Sequence, residues 1–319
     1  MKKVFIALII TGSVLLTAGG VIAAIGYANG QGIKSETKEY NDLEAFENFD
    51  INLGVSELEI KPSTDSTRKV VVDETKYDQH EVEVKDNTLC IKGVNKRKWY
   101  EYVFSWSFFN KIKVTVYVPE GTYNNFKATT STGSIVVPEN YSFASFTAKS
   151  STGSIKSKAT VTNELVAEAS TGSLNLEGAN AKSMSLKTST GSINVKNVEV
   201  NEMITARSST GSINLENVKC NDLTTNGSSG STRLKSVLAT NHIESRSGSG
   251  SVKMEYSDAD TLYVKTGTGS VNLKLLSSKI FQATSSTGSI HVPTSTSGGL
   301  CEIHTSTGSI RAEFAQQNA

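Results

Sequence analysis

The chain has 319 residues, of which 37% are hydrophobic and 20% charged, so it can form a folded core and is not disordered throughout. Its 32 Lys and Arg against 31 Asp and Glu give a net charge of +1, which argues against a nucleic-acid partner held by whole-chain electrostatics. Three cysteines (Cys90, Cys220 and Cys301) are too few and too far apart for a disulfide framework. Any functional signal must therefore be local.

The N-terminal segment predicts where the protein is located. Lys2 and Lys3 precede a 25-residue apolar run from Val4 to Ala28, long enough to cross a bilayer as one helix. The positive-inside rule places residues 1–3 in the cytoplasm and everything after Ala28 outside the cell. The alternative is a cleaved signal peptide, since Gly26-Tyr27-Ala28 resembles a cleavage site, and cleavage would make the protein secreted.

A repeat dominates the remainder of the chain. The tetrapeptide Ser-Thr-Gly-Ser, or a close variant, recurs ten times with its glycines 19 or 20 residues apart, which predicts an array of similar structural units. The repeat glycines are Gly133, Gly153, Gly172, Gly191, Gly211, Gly230, Gly250, Gly269, Gly288 and Gly308. Every residue seven positions before the glycine is apolar, and two positions after it only Thr232 is not. Apolar and polar residues alternate within a unit, as in Leu174-Asn175-Leu176, so each unit predicts two short strands joined by a glycine turn.

A charge pattern predicts how these units stack. Five residues after the glycine, the sign of the charge alternates across seven consecutive units, and parallel strands in register would set these side chains about 4.8 Å apart. The alternating residues are Lys158, Glu177, Lys196, Glu216, Lys235, Glu255 and Lys274. The sequence therefore predicts an all-β protein, a single-chain parallel β-solenoid of about ten coils with an N-terminal β cap and one N-terminal transmembrane helix.

The predicted division of the chain follows from these patterns. Residues 1–3 form a cytoplasmic stub, 4–28 the anchor or signal peptide and 29–45 a linker. Residues 46–126 form an N-terminal β capping region, and residues 127–319 form the solenoid. Little sequence follows the last glycine turn, so the C-terminal coil could self-associate through an open strand edge.

A family resemblance supports this fold. The segment from Lys111 to Val118, followed by Pro119-Glu120-Gly121 and by Phe126 leading into Ser131-Thr132-Gly133-Ser134-Ile135, resembles the bacterial β-strand-repeat adhesin family, whose function is unknown. Members couple a short N-terminal membrane segment to Gly-Ser or Gly-Asp-Ile coils, and the resemblance covers about residues 46–312. It implies a solenoid in the cell envelope and supplies no catalytic or binding residues.

Enzymatic chemistry on the solenoid would need converging carboxylates on an outward face. Two outward columns, three residues after and four residues before the glycine, hold Glu168 as their one carboxylate. The turn serines have no accompanying His and Asp pattern, and the four histidines have no metal-ligand spacing. We therefore predict a non-enzymatic protein without a cofactor or metal.

The same two columns are rich in basic residues. In parallel stacking Lys187 lies beside Arg207, and Arg246 beside Lys265, so like charges are neighbours. The predicted polyanion-binding residues are Lys149, Lys156, Lys187, Arg207, Arg233, Arg246, Lys253, Lys265 and Arg311. Their ligand would be an anionic cell-envelope polymer such as teichoic acid, or a lipid surface. The alternative is a solvated face with no ligand.

A second candidate surface lies before the repeats. The aromatic residues Trp99, Tyr100, Phe104, Trp106 and Phe108 could form a membrane-proximal or partner-binding patch, or pack over the first coil as a cap. The predicted function is a membrane-anchored, extracytoplasmic adhesion or envelope-interaction module. The alternative is a regulatory or sensory envelope-stress protein that acts through a protein partner in the membrane.

Overall fold

The computed structural model describes residues 35–96 and 112–315, which form strands and connecting turns. Within these two ranges there is no helix with the length and apolar character needed to cross a membrane. The N-terminal strands are β1 (Glu36–Tyr40), β2 (Asn48–Leu53), β3 (Ser56–Pro62), β4 (Lys69–Glu74), β5 (Asp78–Lys85), β6 (Thr88–Asn95) and β7 (Ile112–Val118). The anchor predicted at residues 4–28 lies outside the described ranges.

The repeat region contains the remaining described strands, two or more per coil. They are β8 (Gly121–Thr132), β9 (Ile135–Val137), β10 (Tyr141–Thr152), β11 (Ile155–Ser157), β12 (Thr160–Thr171), β13 (Leu174–Glu177), β14 (Asn180–Ala181), β15 (Ser183–Thr190), β16 (Ile193–Val200), β17 (Met203–Thr210), β18 (Ile213–Ser229), β19 (Thr232–Ser249), β20 (Val252–Ser257), β21 (Thr261–Thr268), β22 (Val271–Leu275), β23 (Lys279–Thr287), β24 (Ile290–His291), β25 (Gly299–Thr307) and β26 (Ile310–Phe314).

The coils stack in parallel and in register, which confirms the predicted β-solenoid. Phe146 of β10 pairs with Phe126 of β8 on one side and with Leu165 of β12 on the other. The column seven residues before the glycine is therefore continuous, and nine of its ten members are buried. At the N-terminal end this column is aromatic, and the rings of Phe126 and Phe146 stack with centroids 4.8 Å apart. The core is a stack of side chains inside the coils.

Each repeat turn needs glycine for two reasons. Gly191 has φ +141°, a conformation that residues with a Cβ rarely adopt, and a Cβ added there would lie 2.1 Å from the carbonyl oxygen of Gly172 in the preceding coil. Hydroxyl groups near the turn also form hydrogen bonds between the two successive coils. Thr188 Oγ1 donates to Gly172 O at 2.9 Å, and Ser192 N donates to Ser173 Oγ at 3.2 Å. The turns thus stack one backbone directly on the next.

Two further coils precede the repeats. β2 and β3 pair in parallel with β8 and β9, so that Phe49 lies beside Phe126 and Leu58 beside Ile135. β6 and β7 pair in parallel with the outer edges of β2 and β3. The first coil in the sequence therefore lies second in space, between the β6–β7 coil and the β8–β9 coil. The domain boundary predicted at residues 126 and 127 stays a prediction.

Antiparallel strands cover this N-terminal end. β4 pairs with the outer edge of β7, and β1 pairs with β4. β5 forms an antiparallel hairpin with β6. Both strands of the outermost coil consequently have hydrogen-bonded neighbours, and neither leaves a row of unpaired backbone groups.

The C-terminal end shows the same exchange of order. β25 pairs with β21 on one side and with β23 on the other, while β26 pairs with β22 and β24. The coil at Gly308 therefore lies between the coils at Gly269 and Gly288. Gly298 and Gly299 permit this insertion, since a Cβ on Gly299 would lie 1.7 Å from the carbonyl oxygen of Asp260.

This insertion changes which edge is open. The C-terminal coil, predicted to carry the thinly covered edge, has a coil on each side. At this end of the described solenoid, the free edge belongs to β23 and β24, which form the coil that precedes the last one in the sequence. The inserted coil also continues the charge alternation, because Glu313 pairs in register with Lys274.

Candidate functional surface

The nine predicted basic residues lie on strands either side of the glycine turns. Eight of the side chains are exposed, and Lys253 is half-buried. The basic residues of the first column, each at the fourth position before its glycine, lie on the longer strand of their coil. The basic residues of the second column, each at the third position after its glycine, lie on the strand that follows the turn. No contact in the described residues joins the two columns.

The structure places like charges next to each other as predicted. Lys187 of β15 pairs in register with Arg207 of β17, and Arg246 of β19 pairs with Lys265 of β21. Arg233 similarly lies beside Lys253. Between Lys156 and Arg233 the column consists of asparagines whose amides bond to one another, as in Asn194 Nδ2 to Asn175 Oδ1 at 2.9 Å. This stretch satisfies its own hydrogen bonds.

Carboxylates neutralise four of the nine cations. Lys149 lies 3.2 Å from Glu168, and Lys253 lies 2.7 Å from Glu255. Arg246 contacts Glu244, and Arg311 contacts Glu313. As in the contact of Lys253, each of these carboxylates is two residues away on the same strand. The sequence analysis considered each column separately and therefore missed Glu244, Glu255 and Glu313, which lie outside the two basic columns. In residues 35–96 and 112–315, no carboxylate lies within 4.0 Å of the basic groups of Lys156, Lys187, Arg207, Arg233 or Lys265.

Among the nine predicted residues, Lys187 and Arg207 form the one adjacent pair in which neither cation has a carboxylate of the described residues within 4.0 Å. Glu168 pairs in register with Lys187 on its other side, but its carboxylate contacts Lys149. Side chains two residues apart on a strand share a face, so each of these cations has hydroxyl neighbours on both sides. The flanking residues are Ser185, Ser189, Thr205 and Ser209. We call these two cations and four hydroxyls the Lys187–Arg207 patch. An open groove of about 310 Å³ reaches Lys187 and Ser189 from the Lys149 side.

The alternating column behaves differently. Glu216 lies between Lys196 at 3.3 Å and Lys235 at 2.6 Å. These two lysines lower the pKa of the Glu216 carboxyl below its usual range, mainly through their hydrogen bonds. Lys158 and Glu177 form another contact at 3.4 Å. The alternation is thus partly realised as ion pairs, and its lysines already have anionic neighbours.

One arrangement was not visible in the sequence. Ser56 Oγ lies 2.8 Å from His80 Nε2, and His80 Nδ1 lies 3.6 Å from Glu74 Oε1, an order of groups like that of a nucleophile, base and carboxylate. Burial lowers the pKa of His80 despite Glu74 and Asp78 nearby. Ser56 is 1% exposed and has the turn position that glycine holds in the repeats, so a substrate cannot reach its hydroxyl. The group is a buried element of the N-terminal end.

Comparison with known proteins identifies the family. The family described as "Toastrack DUF4097" matches residues 46–217 and 201–319. The chain belongs to the Toastrack family. No curated protein matches it.

Several solved structures align with this chain over most of its length. A "putative adhesin" from Bacteroides fragilis is 16% identical with a TM-score of 0.43, and the alignment covers 88% of this chain and 97% of that one. A "putative adhesin" from Parabacteroides distasonis is 14% identical with a TM-score of 0.45, covering 88% and 98%. A "putative lipid binding protein" from the same organism is 15% identical with a TM-score of 0.38, covering 90% and 96%.

Other predicted features of this Toastrack chain lie outside the described residues. They are the aromatic patch of Trp99, Tyr100, Phe104, Trp106 and Phe108, and the apolar segment at residues 4–28. Both stay predictions. The three cysteines are free thiols, and desolvation raises the pKa of the buried Cys220 and Cys301 to about 12. These two thiols are therefore protonated and unreactive at neutral pH.

Proposed function

We propose that this Toastrack chain is a non-enzymatic envelope module, anchored by residues 4–28 with the solenoid outside the cell, and that it binds phosphate-bearing anionic envelope material. The observation that supports this most is the Lys187–Arg207 patch, where two adjacent exposed cations have no carboxylate within 4.0 Å among the described residues, because Glu168, the in-register neighbour of Lys187, contacts Lys149 instead. Teichoic acid and anionic lipid headgroups share the phosphate chemistry that such a patch recognises.

The energetics of stacking support a ligand. Like charges on neighbouring strands destabilise a sheet by roughly 0.2 to 0.5 kcal/mol per pair. Elsewhere in the same solenoid the sequence avoids this repulsion, because Glu216 separates Lys196 from Lys235. A bound phosphate would remove the repulsion at Lys187 and Arg207. The four flanking hydroxyls can donate hydrogen bonds to the remaining phosphate oxygens.

A paired set of variants tests this proposal. We expect Lys187→Gln with Arg207→Gln to weaken binding of residues 35–319 to purified teichoic acid or to phosphatidylglycerol vesicles. The matched control is Lys196→Gln with Lys235→Gln, which removes two cations that already contact Glu216. Both double variants lower the net charge equally, so a difference between them reports on position and not on total charge.

The expected result is at least about a tenfold loss of affinity for the patch variant and less than about threefold for the control. Binding should also weaken with added salt, since exposed charges are screened over about 8 to 10 Å near physiological ionic strength. If the unaltered protein binds teichoic acid but not phosphatidylglycerol vesicles, the ligand is the polymer. If it binds the vesicles but not teichoic acid, the ligand is the lipid. Equal losses in both variants, or salt-independent binding, would contradict the proposal.

A further inference from the structure

The C-terminal end of the solenoid has an uncovered strand edge. β23 and β24 pair with β25 and β26 on one side, and no strand in the described ranges pairs with their other side. Their backbone groups are arranged as a template for a further strand. The N-terminal end differs, because β4 and β5 already cover its outermost coil.

The apolar interior is also open at this end. Ile290 lies two residues after its glycine, the position at which Ile310 in the neighbouring coil and Val271 in the coil beyond it are completely buried, yet it is 40% exposed. The other inward residues of the terminal coil, Phe281, Ala283 and Val292, are only half-buried. The cross-section of the core therefore meets solvent at one end of the molecule.

Apolar side chains border this cross-section. Ile280 is 41% exposed, and it pairs in register with Leu300, which is 39% exposed. These two side chains lie next to each other on the outer surface of the last two coils. Ile280, Ile290 and Leu300 are therefore three large exposed apolar side chains on the last two coils, and such side chains grouped at one end often mark a protein contact surface.

The terminal coil begins with a charged residue, Lys279, but its side chain is buried 2.9 Å from Asp258 and does not protect the edge. Residues 280–300 contain no Asp, Glu, Lys or Arg, whereas each of the other nine repeat coils contains at least two such residues. Exposed edge strands are ordinarily protected from pairing by charged side chains. A neutral coil lets these strands pair with a further strand without burying charge, and a second copy of the chain presents the same neutral strands.

We propose that two copies of this chain dimerise end to end through β23 and β24. A two-fold axis across the open end sets these strands antiparallel to their copies and covers both open cores. Because a two-fold contact uses the same open end of both copies, it closes at two copies and does not continue into a filament. The dimer would double the number of Lys187–Arg207 patches presented to one polymer, although it does not depend on their function.

The test compares two double-lysine variants of the full chain in mild detergent. Gln282→Lys with Ser286→Lys places charges on the outward face of β23, six and two residues before the glycine. Thr224→Lys with Ser228→Lys places the same charges at the same repeat positions of β18, in the middle of the solenoid. Sedimentation equilibrium over about 1 to 100 µM protein gives the association constant for each chain.

We expect a dimer for the unaltered chain and for the β18 variant, and at least about a tenfold weaker association for the β23 variant. Thermal unfolding of the two variants should be similar, since both replace outward-facing side chains. Any association through residues 4–28 is common to all three chains and cannot produce the difference. A monomeric unaltered chain, equal association of the two variants, or growth beyond two copies would overturn the proposal.

Discussion

At the residue scale, the repeat depends on close contact between successive turns. The glycine provides both the positive φ and the space for the neighbouring carbonyl, as at Gly191. The hydroxyl of the residue directly before the tetrapeptide then bonds across coils, as Ser208 Oγ does to Gly191 O at 3.1 Å. These serines and threonines are therefore structural, and their abundance is not a sign of catalysis.

A glycine substitution checks this account. Gly191→Ala should destabilise the protein by at least about 2 kcal/mol, because the added Cβ lies 2.1 Å from Gly172 O and the backbone conformation is strained. The control is Gly178→Asn at another turn. Gly178 has φ +72° with no atom nearer than 4.0 Å, and Asn197 already adopts φ 54° at the same repeat position. Chemical denaturation should show a change within about 0.5 kcal/mol for Gly178→Asn; similar losses in the two variants would contradict the account.

At the element scale, the sequence patterns predicted the repeat strands and their register, but not the arrangement of the ends. The β2–β3 coil was hidden because Ser56 stands where the repeats have glycine. The insertion of the last coil left weaker signs. Glu313 continues the charge alternation where the coil of Gly288 has Pro293, and Gly298-Gly299 marks the crossing. These residues indicate the insertion only if the order of the coils in space is considered separately from their order in the sequence.

The candidate surface was predictable to a similar extent. Parallel stacking predicted that Lys187 and Arg207 are neighbours, and the structure confirms that they pair in register on adjacent coils. The neutralisation of Arg246 by Glu244 depends on side-chain direction within one strand, and it was missed because each column was considered alone. The buried contact of Ser56 with His80 joins strands β3 and β5, whose proximity follows only from the complete N-terminal fold.

The N-terminal strands should be sensitive to acid through His80. Desolvation lowers the pKa of His80 in the folded protein below its ordinary value of 6.5, so folding favours the neutral imidazole. Stability is therefore fully present above pH 6.5 and falls as the pH drops through and below that value, because the unfolded chain then binds the proton more readily. Glu74 and Asp78, the charged groups nearest the imidazole, oppose this shift without reversing it.

Denaturation curves at a series of pH values measure this effect. We expect the unaltered chain to lose stability between about pH 7 and pH 5, and His80→Gln to lose less over the same range. His291→Gln, which replaces an exposed histidine on β24, should retain the full loss. An unchanged pH dependence in His80→Gln would show that this residue is not the source.

At the scale of the whole molecule, both ends are built by the same exchange. The first coil in the sequence is stacked next to the β6–β7 coil, which forms the N-terminal end of the stack. The last coil in the sequence is stacked next to the β23–β24 coil, which forms the other end. Each outermost coil is consequently connected to the chain at both its ends and cannot unravel from a terminus. At one end antiparallel strands cover the outermost coil, while at the other β23 and β24, which are neutral from Ile280 onward, are left to pair with a second copy. The Lys187–Arg207 patch lies on coils between these ends.

The most direct test of this arrangement is a disulfide between neighbouring coils. Asn272 and Arg311 pair in register on β22 and β26. Both residues, and His291 of the control pair, are exposed. Adjacent parallel strands lie about 4.8 Å apart, within the range of about 4.4 to 6.8 Å that a disulfide spans between Cα atoms. His291 lies one coil further, beyond Arg311.

Mild oxidation of Asn272→Cys with Arg311→Cys should therefore form an intramolecular disulfide, identified by peptide mass. Asn272→Cys with His291→Cys should not form one, because about two strand spacings separate these positions. Stacking in chain order predicts the opposite pair of results. A disulfide between positions 272 and 291, without one between 272 and 311, would contradict both the inserted coil and the open end derived from it.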